Sequence, residues 1–179
     1  LLTFSFVEMG NHLQNTYSEL EQSKGDLENK VAEQKRVKEL LRISEEKFKT
    51  LSRTSPVGVF QTDTVGNCIF VNEKWCELTG LIFDVAKGDG WAGALFDEDR
   101  ERVFKEWYEA AQKRLPFKSE YRFKKPNGEI TWVLGQASEQ IDNEGISVGY
   151  VGTITDITER KETEEILRRS QKMDAIGQL

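Results

Sequence analysis

The pattern of apolar and polar positions divides the chain into three parts, and the first part reads as one long helix. Residues 11–51 contain no proline and a single glycine, and they are rich in Glu, Lys, Gln and Leu. Apolar residues recur there at intervals of seven, a spacing typical of helices that wind around one another. The companion positions are mostly polar, so such a coil would have only marginal stability. The seven-residue spacing nevertheless favours a dimeric coiled coil over a solvated single helix. The repeat consists of Leu13, Leu20, Leu27, Leu41 and Phe48, with Gln34 in the missing place.

Short alternating segments replace the helical repeat in the second part. The segments "GVFQTD" and "NCIFVN" predict two strands joined by a turn, and "NEKWCELTG" predicts a short helix that stops at Gly80. The stretch from Asp97 to Arg114 predicts an amphipathic helix whose apolar stripe includes Val103, Trp107 and Ala111.

Three further strands follow this helix. "FKSEYRFKK" alternates strictly, with Phe117, Tyr121 and Phe123 on one face, and the "PNG" after it is a strong hairpin signal. "EITWVLGQASEQI" and "SVGYVGTITDI" supply the return strands on either side of a second turn. We therefore predict an α+β fold with a five-stranded antiparallel sheet and short helices on one face.

The third part begins where the last strand meets a charged helix. No glycine or proline lies between Ile157 and Glu159, so the strand and the helix should be closely coupled. In the helix, Ile166, Met173 and Ile176 continue a heptad seam. The predicted segments are an N-terminal coiled-coil helix at 1–43, a compact domain at 44–158 and a C-terminal helix at 159–179.

Composition narrows the functional classes. The net charge is -6, which argues against a nucleic-acid partner. Cys68 and Cys76 lie eight positions apart, a spacing that fits neither zinc nor a disulfide framework, so no metal site is predicted and a reducing cytoplasmic setting fits best. The apolar start, which ends at Val7, is too short to cross a bilayer, and it leaves open whether a longer protein is membrane-anchored.

Five segments in series carry a family resemblance. Residues from about 44 to 161 resemble a PAS domain with its PAC segment, with Leu95-Phe96 in place of the usual His-Pro. The C-terminal "SQKMDAIGQL" resembles the first turns of the dimerisation helix of sensor histidine kinases. The segments that match the PAS pattern are "SEEKFKTLSRTSPVGVFQTD", "GNCIFVNEKWCELTG", "LFDEDRERV", "EYRFKKPNGEITWV" and "GYVGTITDITERK".

The resemblance implies a sensory and relay module of a two-component histidine kinase, working as a homodimer through both flanking helices and followed by kinase domains. This chain is not expected to be an enzyme, since its single histidine, His12, lies at the wrong end for a phosphoacceptor, and no nucleotide-binding domain or catalytic residue set is present. Two alternatives stay open: a structural dimerisation spacer with a filled pocket, and a redox or light sensor with a non-covalent flavin.

PAS domains enclose a small apolar cavity, which holds a ligand in some members and is filled by side chains in others. A covalent flavin adduct is disfavoured because "NCIFVN" precedes the short helix, where the flavin-binding motif follows it. Haem is disfavoured because residues 97–112 contain no histidine. A small-molecule ligand or a non-covalent flavin remains open, and Trp91 is a candidate for the cavity entrance. The predicted lining residues are Phe60, Phe70, Trp75, Tyr121 and Trp132.

The strand–helix connection matches the D-I-T positions of the family. The resemblance implies that Asp156, Ile157 and Thr158 tie the start of the last helix to the domain and transmit the signal. Thr158 is predicted to be the N-cap of that helix. Its replacement by alanine is predicted to lower the stability of the helix start by about 1 kcal/mol.

Overall fold

The computed structural model describes the backbone of residues 2–177 and the side chains of residues 8–173. It contains five α-helices, five strands and one 3₁₀ helix in this part of the chain. In chain order they are α1 (Leu2–Thr54), β1 (Gly58–Thr62), β2 (Cys68–Val71), α2 (Glu73–Thr79), α3 (Phe83–Ala86), the 3₁₀ helix (Gly90–Ala94), α4 (Asp97–Lys113), β3 (Phe117–Lys124), β4 (Ile130–Ile141), β5 (Ser147–Asp156) and α5 (Thr158–Gly177).

The chain divides into two units, and the first ends at Thr50 within α1. The predicted long helix is present, and its heptad leucines are exposed: Leu13, Leu20 and Leu27 keep more than 60% of their surface. The coiled coil and the dimer stay predictions. The same holds for the C-terminal seam, of which the side chain of Ile176 lies outside the described residues.

The second unit, from Leu51 onward, is built on the predicted five-stranded antiparallel sheet, which is confirmed. The strands lie in the order β2-β1-β5-β4-β3, so the first and last strands pair at the centre. The hairpin at "PNG" forms as predicted, with the Lys125 N–H donating to the Glu129 carbonyl at 2.8 Å and Gly128 at a φ of 88°. The long β4 pairs with both β3 and β5 and thereby joins the meander into one surface.

One face of this sheet, called the inner face here, is covered by the short helices and α4. Paired residues of neighbouring antiparallel strands share a face, so buried Tyr121 and its partner Val133 lie on the inner face. Their neighbours Arg122 and Trp132, which pair with each other, lie on the outer face. The sheet alternation thus places apolar side chains inward and charged ones outward on β3.

Asn72 connects three elements at one end of the sheet. Its side-chain oxygen accepts from the Trp75 N–H and so caps α2, and it also accepts from the Val59 N–H at 2.8 Å. Its side-chain amide donates to the Ser52 carbonyl at 2.8 Å. Gly80 ends α2 in the left-handed conformation, with a φ of 74°, as the sequence predicted.

β3 forms the edge of the sheet, and the start of α4 runs along that edge. The Phe96 N–H donates to the Arg122 carbonyl at 2.9 Å, and the Arg122 N–H donates to the Asp99 carboxylate at 3.0 Å. The edge strand is therefore covered rather than open for further pairing.

Candidate functional site

A small cavity of about 30 Å³ lies between the inner face of the sheet and the helices. Its wall is largely aromatic, and the ring of Trp107 makes edge-on contacts with Phe60 at 5.8 Å and with Phe117 at 5.2 Å between centroids. Tyr121 and Phe123 contact each other at 5.3 Å on the sheet side. The lining residues are Phe60, Thr62, Cys68, Trp75, Trp91, Trp107, Phe117, Tyr121 and Phe123.

Strand alternation and one glycine place Tyr121 in this wall. The residue occupies an inward position of β3, and its ring lies across β4 where Gly135 has no side chain. A Cβ at position 135 would lie 2.6 Å from the Tyr121 hydroxyl oxygen, too close for any real contact. The glycine is therefore required for the position of the tyrosine ring.

Three of the five predicted lining residues lie at the cavity and two do not. Phe60, Trp75 and Tyr121 line it. The prediction for Trp132 is wrong, because this residue pairs with Arg122 on the outer face. The prediction for Phe70 is also wrong. Phe70 pairs with Gln61, whereas the cavity-lining Phe60 pairs with Val71, so Phe70 and Phe60 lie on opposite faces of the sheet.

Sequence reasoning missed most of the remaining wall. Phe117 and Phe123 share a face with Tyr121 in the alternating pattern of β3, and that signal was sufficient to assign them. Trp107 was assigned to the core, and it is both buried and cavity-lining. Trp91, the candidate for the cavity entrance, lines the cavity and is partly exposed.

The cavity wall carries no charge. Burial raises the pKa of the Cys68 thiol to about 11, so the group is a neutral thiol at physiological pH and not an activated nucleophile. Pockets for cofactor-sized ligands typically enclose several hundred Å³. The side chains present leave about 30 Å³ and therefore do not fit a flavin ring or a haem in this arrangement.

The second notable feature is the junction between β5 and α5, which is tied to β4 by two hydrogen bonds. The Ile157 N–H donates to the Trp132 carbonyl at 2.9 Å, and the Trp132 N–H donates to the Thr158 hydroxyl oxygen at 3.0 Å. The Asp156 carboxylate accepts from the Thr158 N–H at 2.9 Å. All three D-I-T residues thus take part in holding the helix start to the sheet.

The role predicted for Thr158 as a helix N-cap is corrected by these contacts. α5 begins at Thr158 itself, and the first helical bond runs from the Lys161 N–H to the Ile157 carbonyl. The threonine hydroxyl accepts its bond from β4 rather than from an N–H of its own helix. Its hydroxyl therefore fixes the helix to the sheet instead of completing the helix end.

Two basic residues in the first turn of α5 bind one carboxylate of β3. The Glu120 oxygens lie 2.6 Å from the Arg160 guanidinium and 2.6 Å from the Lys161 ammonium. Hydrogen bonds from Lys161 and Arg160 lower the pKa of the Glu120 carboxyl to about 2. All three side chains are partly exposed, so solvent screens these two ion pairs. They therefore contribute to the orientation of α5 more than to the stability of the fold.

Arg122 extends this outer-face cluster to α4. Its guanidinium forms a two-pronged ion pair with Asp99 at 2.8 and 3.0 Å, and it stacks over Phe96 with 4.1 Å to the ring centroid. The ring of Trp132 lies between this guanidinium, at 5.1 Å, and the Lys161 ammonium, at 5.4 Å. A continuous set of contacts on the outer face therefore joins α4, β3, β4 and α5.

Within the part of the chain that the structure describes, no set of three or more His, Cys, Asp or Glu side chains is arranged to hold a metal ion. Over the same residues, no helix has both the length and the apolar character that a membrane span requires.

Part of this chain is similar to known proteins. Residues 68–154 match the model of the PAS fold. An uncharacterized protein of Sinorhizobium fredii, y4lL, is 31% identical over 142 residues, which are 79% of this chain and 17% of that protein. Sporulation kinase C of Bacillus subtilis is 28% identical over 147 residues, which are 76% of this chain and 33% of the kinase. The chain thus spans a third or less of the length of these two relatives.

A solved structure supports the same fold. The sensory box histidine kinase/response regulator of Burkholderia thailandensis is 19% identical to this chain, with a TM-score of 0.53. The match covers 74% of this chain and 99% of that one.

Proposed function

We propose that this chain, of which residues 68–154 match the model of the PAS fold, is the sensory and relay module of a two-component histidine kinase. Its input is a signal received through α1 or in the cavity, and its output is the position of α5. The relative from Bacillus subtilis, a sporulation kinase, supports the kinase setting. The module itself carries no catalytic step in this proposal.

The junction between β5 and α5 carries the proposal. The strand passes into the helix at Asp156 to Thr158 without a flexible turn residue, and the helix start is bonded to both β3 and β4. A change in the sheet therefore moves α5 with it, because the connection has no loose joint. We propose that the signal shifts the population between two positions of α5 relative to the sheet.

The residues of the junction then have separate roles. Asp156 and Thr158 fix the first turn of α5 to the sheet. Ile157 lies buried between them, and its backbone N–H donates a hydrogen bond to β4. Glu120 sets the direction of the helix through Arg160 and Lys161.

A pair of substitutions at Thr158 tests the relay. Thr158→Val keeps the shape of the side chain but removes the acceptor of the Trp132 N–H, and we expect it to lower the free energy of unfolding by about 1 kcal/mol. In the full-length protein it should also abolish the dependence of autophosphorylation on the signal. Thr158→Ser restores the acceptor and serves as the control, so it should keep that dependence. Normal regulation in the valine variant would rule out the relay role.

The exposed seam of α1 supports the second part of the proposal, a parallel homodimer. Leu13, Leu20 and Leu27 lie on one stripe and expose apolar surface that a second copy of the helix would cover. We propose that the dimer brings two copies of α5 side by side.

The dimer is tested by sedimentation equilibrium of the chain at micromolar concentration. Leu20→Lys puts a charge into the seam and should weaken the dimer about tenfold or more. Glu21→Lys changes the neighbouring exposed position by a larger charge and should leave the dimer nearly unchanged. A native chain that sediments as a monomer across the concentration range would refute the proposed homodimer.

The small volume of the cavity favours one alternative function, a structural spacer that relays a signal received elsewhere. In that case the cavity binds no ligand, and the junction between β5 and α5 alone relays the signal. A visible absorption spectrum and native mass spectrometry of gently purified protein separate this alternative from a ligand sensor or a non-covalent flavin sensor.

A further inference from the structure

Glu139 on β4 has one carboxylate oxygen that is buried and makes no hydrogen bond. Among the side chains that the structure describes, Oε1 of this residue is the one buried polar atom in that state. The rest of the side chain reaches the surface, so that 23% of it is exposed. A buried acceptor without a donor is costly, and more so when it belongs to a charged group. Glu139 therefore indicates a donor that binds at this point of the surface.

Glu139 lies where the inner face of the sheet emerges from beneath the end of α4. It pairs with Tyr150, whose hydroxyl donates to the Ala111 carbonyl in the last turn of α4 at 3.2 Å. Beyond this contact the apolar side chains are uncovered. Ile141, two positions further along the same face of β4, is 60% exposed, and Leu115, just after α4, is 52% exposed. The buried oxygen thus lies beside apolar surface that a partner can cover.

Arg114 forms an ion pair with Glu139 that is too long for a hydrogen bond. Its Nε lies 3.7 Å from Oε1 of Glu139, and 70% of the arginine side chain is exposed. Arg114 ends α4 with a φ of 54°, and in the part of the chain that the structure describes it is the one residue other than glycine with a positive φ. Its N–H donates to the Ala111 carbonyl at 3.3 Å, which fixes its backbone. Glu139 therefore faces a guanidinium that does not supply the missing donor.

The charges near Glu139 favour a cation over a neutral donor. Asp142 and Glu144 lie on the hairpin that follows β4, and the C-terminal end of a helix such as α4 carries partial negative charge. The ammonium of Lys113, in the last turn of α4, lies 3.5 Å from the carboxylate of Glu109 and is thereby paired. The whole chain has a net charge of -6, which attracts positively charged partners.

We propose that Glu139 binds an arginine side chain of a separate partner polypeptide, whose apolar residues beside that arginine cover Leu115 and Ile141. A guanidinium presents two parallel N–H groups to one carboxylate and so supplies the donor that Oε1 lacks. Arginine is also among the residues that contribute most at protein interfaces. Arg114 competes for the carboxylate in the free chain and moves aside on binding. This surface lies toward the hairpin end of β4, away from the junction with α5, so the inference goes beyond the proposed relay and does not rest on it.

Tripeptides that differ in one side chain test this surface. Acetyl-Leu-Arg-Leu-amide carries a guanidinium, and acetyl-Leu-citrulline-Leu-amide carries a neutral urea of nearly the same shape. In an NMR titration followed at the methyl groups of Leu115 and Ile141, the native chain should bind the arginine peptide about tenfold more tightly than the citrulline peptide. Acetyl-Gly-Arg-Gly-amide should bind more weakly than acetyl-Leu-Arg-Leu-amide, because it lacks the apolar flanks.

Three variants separate the roles of the charged groups. Glu139→Gln should remove the preference for arginine over citrulline. Glu144→Gln removes the same amount of negative charge from the nearby hairpin and should keep the preference. Arg114→Gly removes the competing guanidinium, and glycine adopts the φ of this position without strain. This variant should therefore bind the arginine peptide several-fold more tightly than the native chain does.

Equal affinity of the native chain for the arginine and citrulline peptides would overturn the inference, and this result needs no variant to fold. Equal binding of the two arginine peptides would remove the apolar contacts from it. Weaker binding by Arg114→Gly would show that Arg114 helps to bind the partner and does not compete with it. If Glu139→Gln weakened the homodimer in sedimentation equilibrium, the arginine would come from a second copy of this chain, and a separate partner would be ruled out.

Discussion

Trp107→Ala is expected to lower the free energy of unfolding by about 3–5 kcal/mol, as large aromatic truncations in a core do. The indole is 3% exposed and lies in edge-on contact with Phe60, Phe117 and Tyr150, at 5.2 to 5.8 Å between centroids. Its N–H donates to the Gly66 carbonyl at 2.9 Å and so also holds the β1–β2 turn against α4. The substitution removes the ring that joins the helix to the sheet, and urea unfolding followed by circular dichroism measures the loss.

Two other substitutions on α4 separate the causes of that loss. Trp107→Phe keeps a ring in the core but leaves the Gly66 carbonyl without its donor, so its effect should be smaller. Phe104→Ala lies one turn away, where the side chain is 38% exposed, and should lower the free energy of unfolding by about 1 kcal/mol or less. If Trp107→Ala were as mild as Phe104→Ala, Trp107 would not be the centre of this core.

The part of the cavity that lies on β3 could be read from the sequence because strand alternation is local. Phe117, Tyr121 and Phe123 fall on alternate positions, and any pairing of β3 keeps them on one face. Trp107 is similarly fixed by the helical period of α4. What the sequence did not provide is which apolar faces enclose a space, since that depends on the distance between a helix and the sheet.

Trp132 and Phe70 show why the rest was missed. A shift of one residue in strand pairing moves every side chain to the opposite face. The hairpin loop sets the register in which Trp132 meets Arg122, and a register irregularity between Gln61 and Thr62 changes the pairing near Phe70. Both residues are large and apolar, so composition alone placed them in the cavity and only the register places them outside.

The junction between β5 and α5 could be predicted only in part, because some of its contacts are local in the sequence and others are not. The lack of a turn residue between Ile157 and Glu159 is visible in the sequence, and the structure confirms that β5 ends directly before α5. The partners of the helix start are distant in the chain: Thr158 accepts from Trp132, and Lys161 binds Glu120. Capping rules consider only residues that are close in sequence. They therefore predicted a role for Thr158 within its own helix.

Arg122→Leu is expected to lower the free energy of unfolding by about 2–3 kcal/mol at pH 7. The side chain of Asp99 is only 10% exposed, and the substitution leaves this carboxylate without its principal cation. Breaking a buried ion pair by removing one partner costs about 3–5 kcal/mol, and the partial exposure of Arg122 reduces that figure. The guanidinium also covers the rings of Phe96 and Trp132, and leucine retains part of that apolar contact.

Arg102→Leu provides the matched control on the same carboxylate. Arg102 lies 3.5 Å from Asp99 but is 44% exposed, and it is shared with Glu106. Its loss should lower the free energy of unfolding by less than about 1 kcal/mol. Equal effects of the two substitutions would mean that Asp99 depends on the general positive charge around it and not on the two-pronged bond to Arg122.

The pH dependence of the Arg122→Leu effect separates charge from packing. Hydrogen bonding to Arg122 lowers the pKa of Asp99 in the folded protein, while the pKa of the carboxyl in the unfolded chain is about 3.9. A lowered folded pKa contributes stability that is present above the unfolded pKa and is lost as the pH falls through the folded pKa. In the variant, Asp99 keeps only Arg102 and a backbone N–H, so its pKa rises and less stability is lost on acidification. The difference between native and variant chains should therefore be widest near pH 7 and should narrow below about pH 4. A constant difference from pH 7 to pH 3 would instead assign the loss to the rings of Phe96 and Trp132.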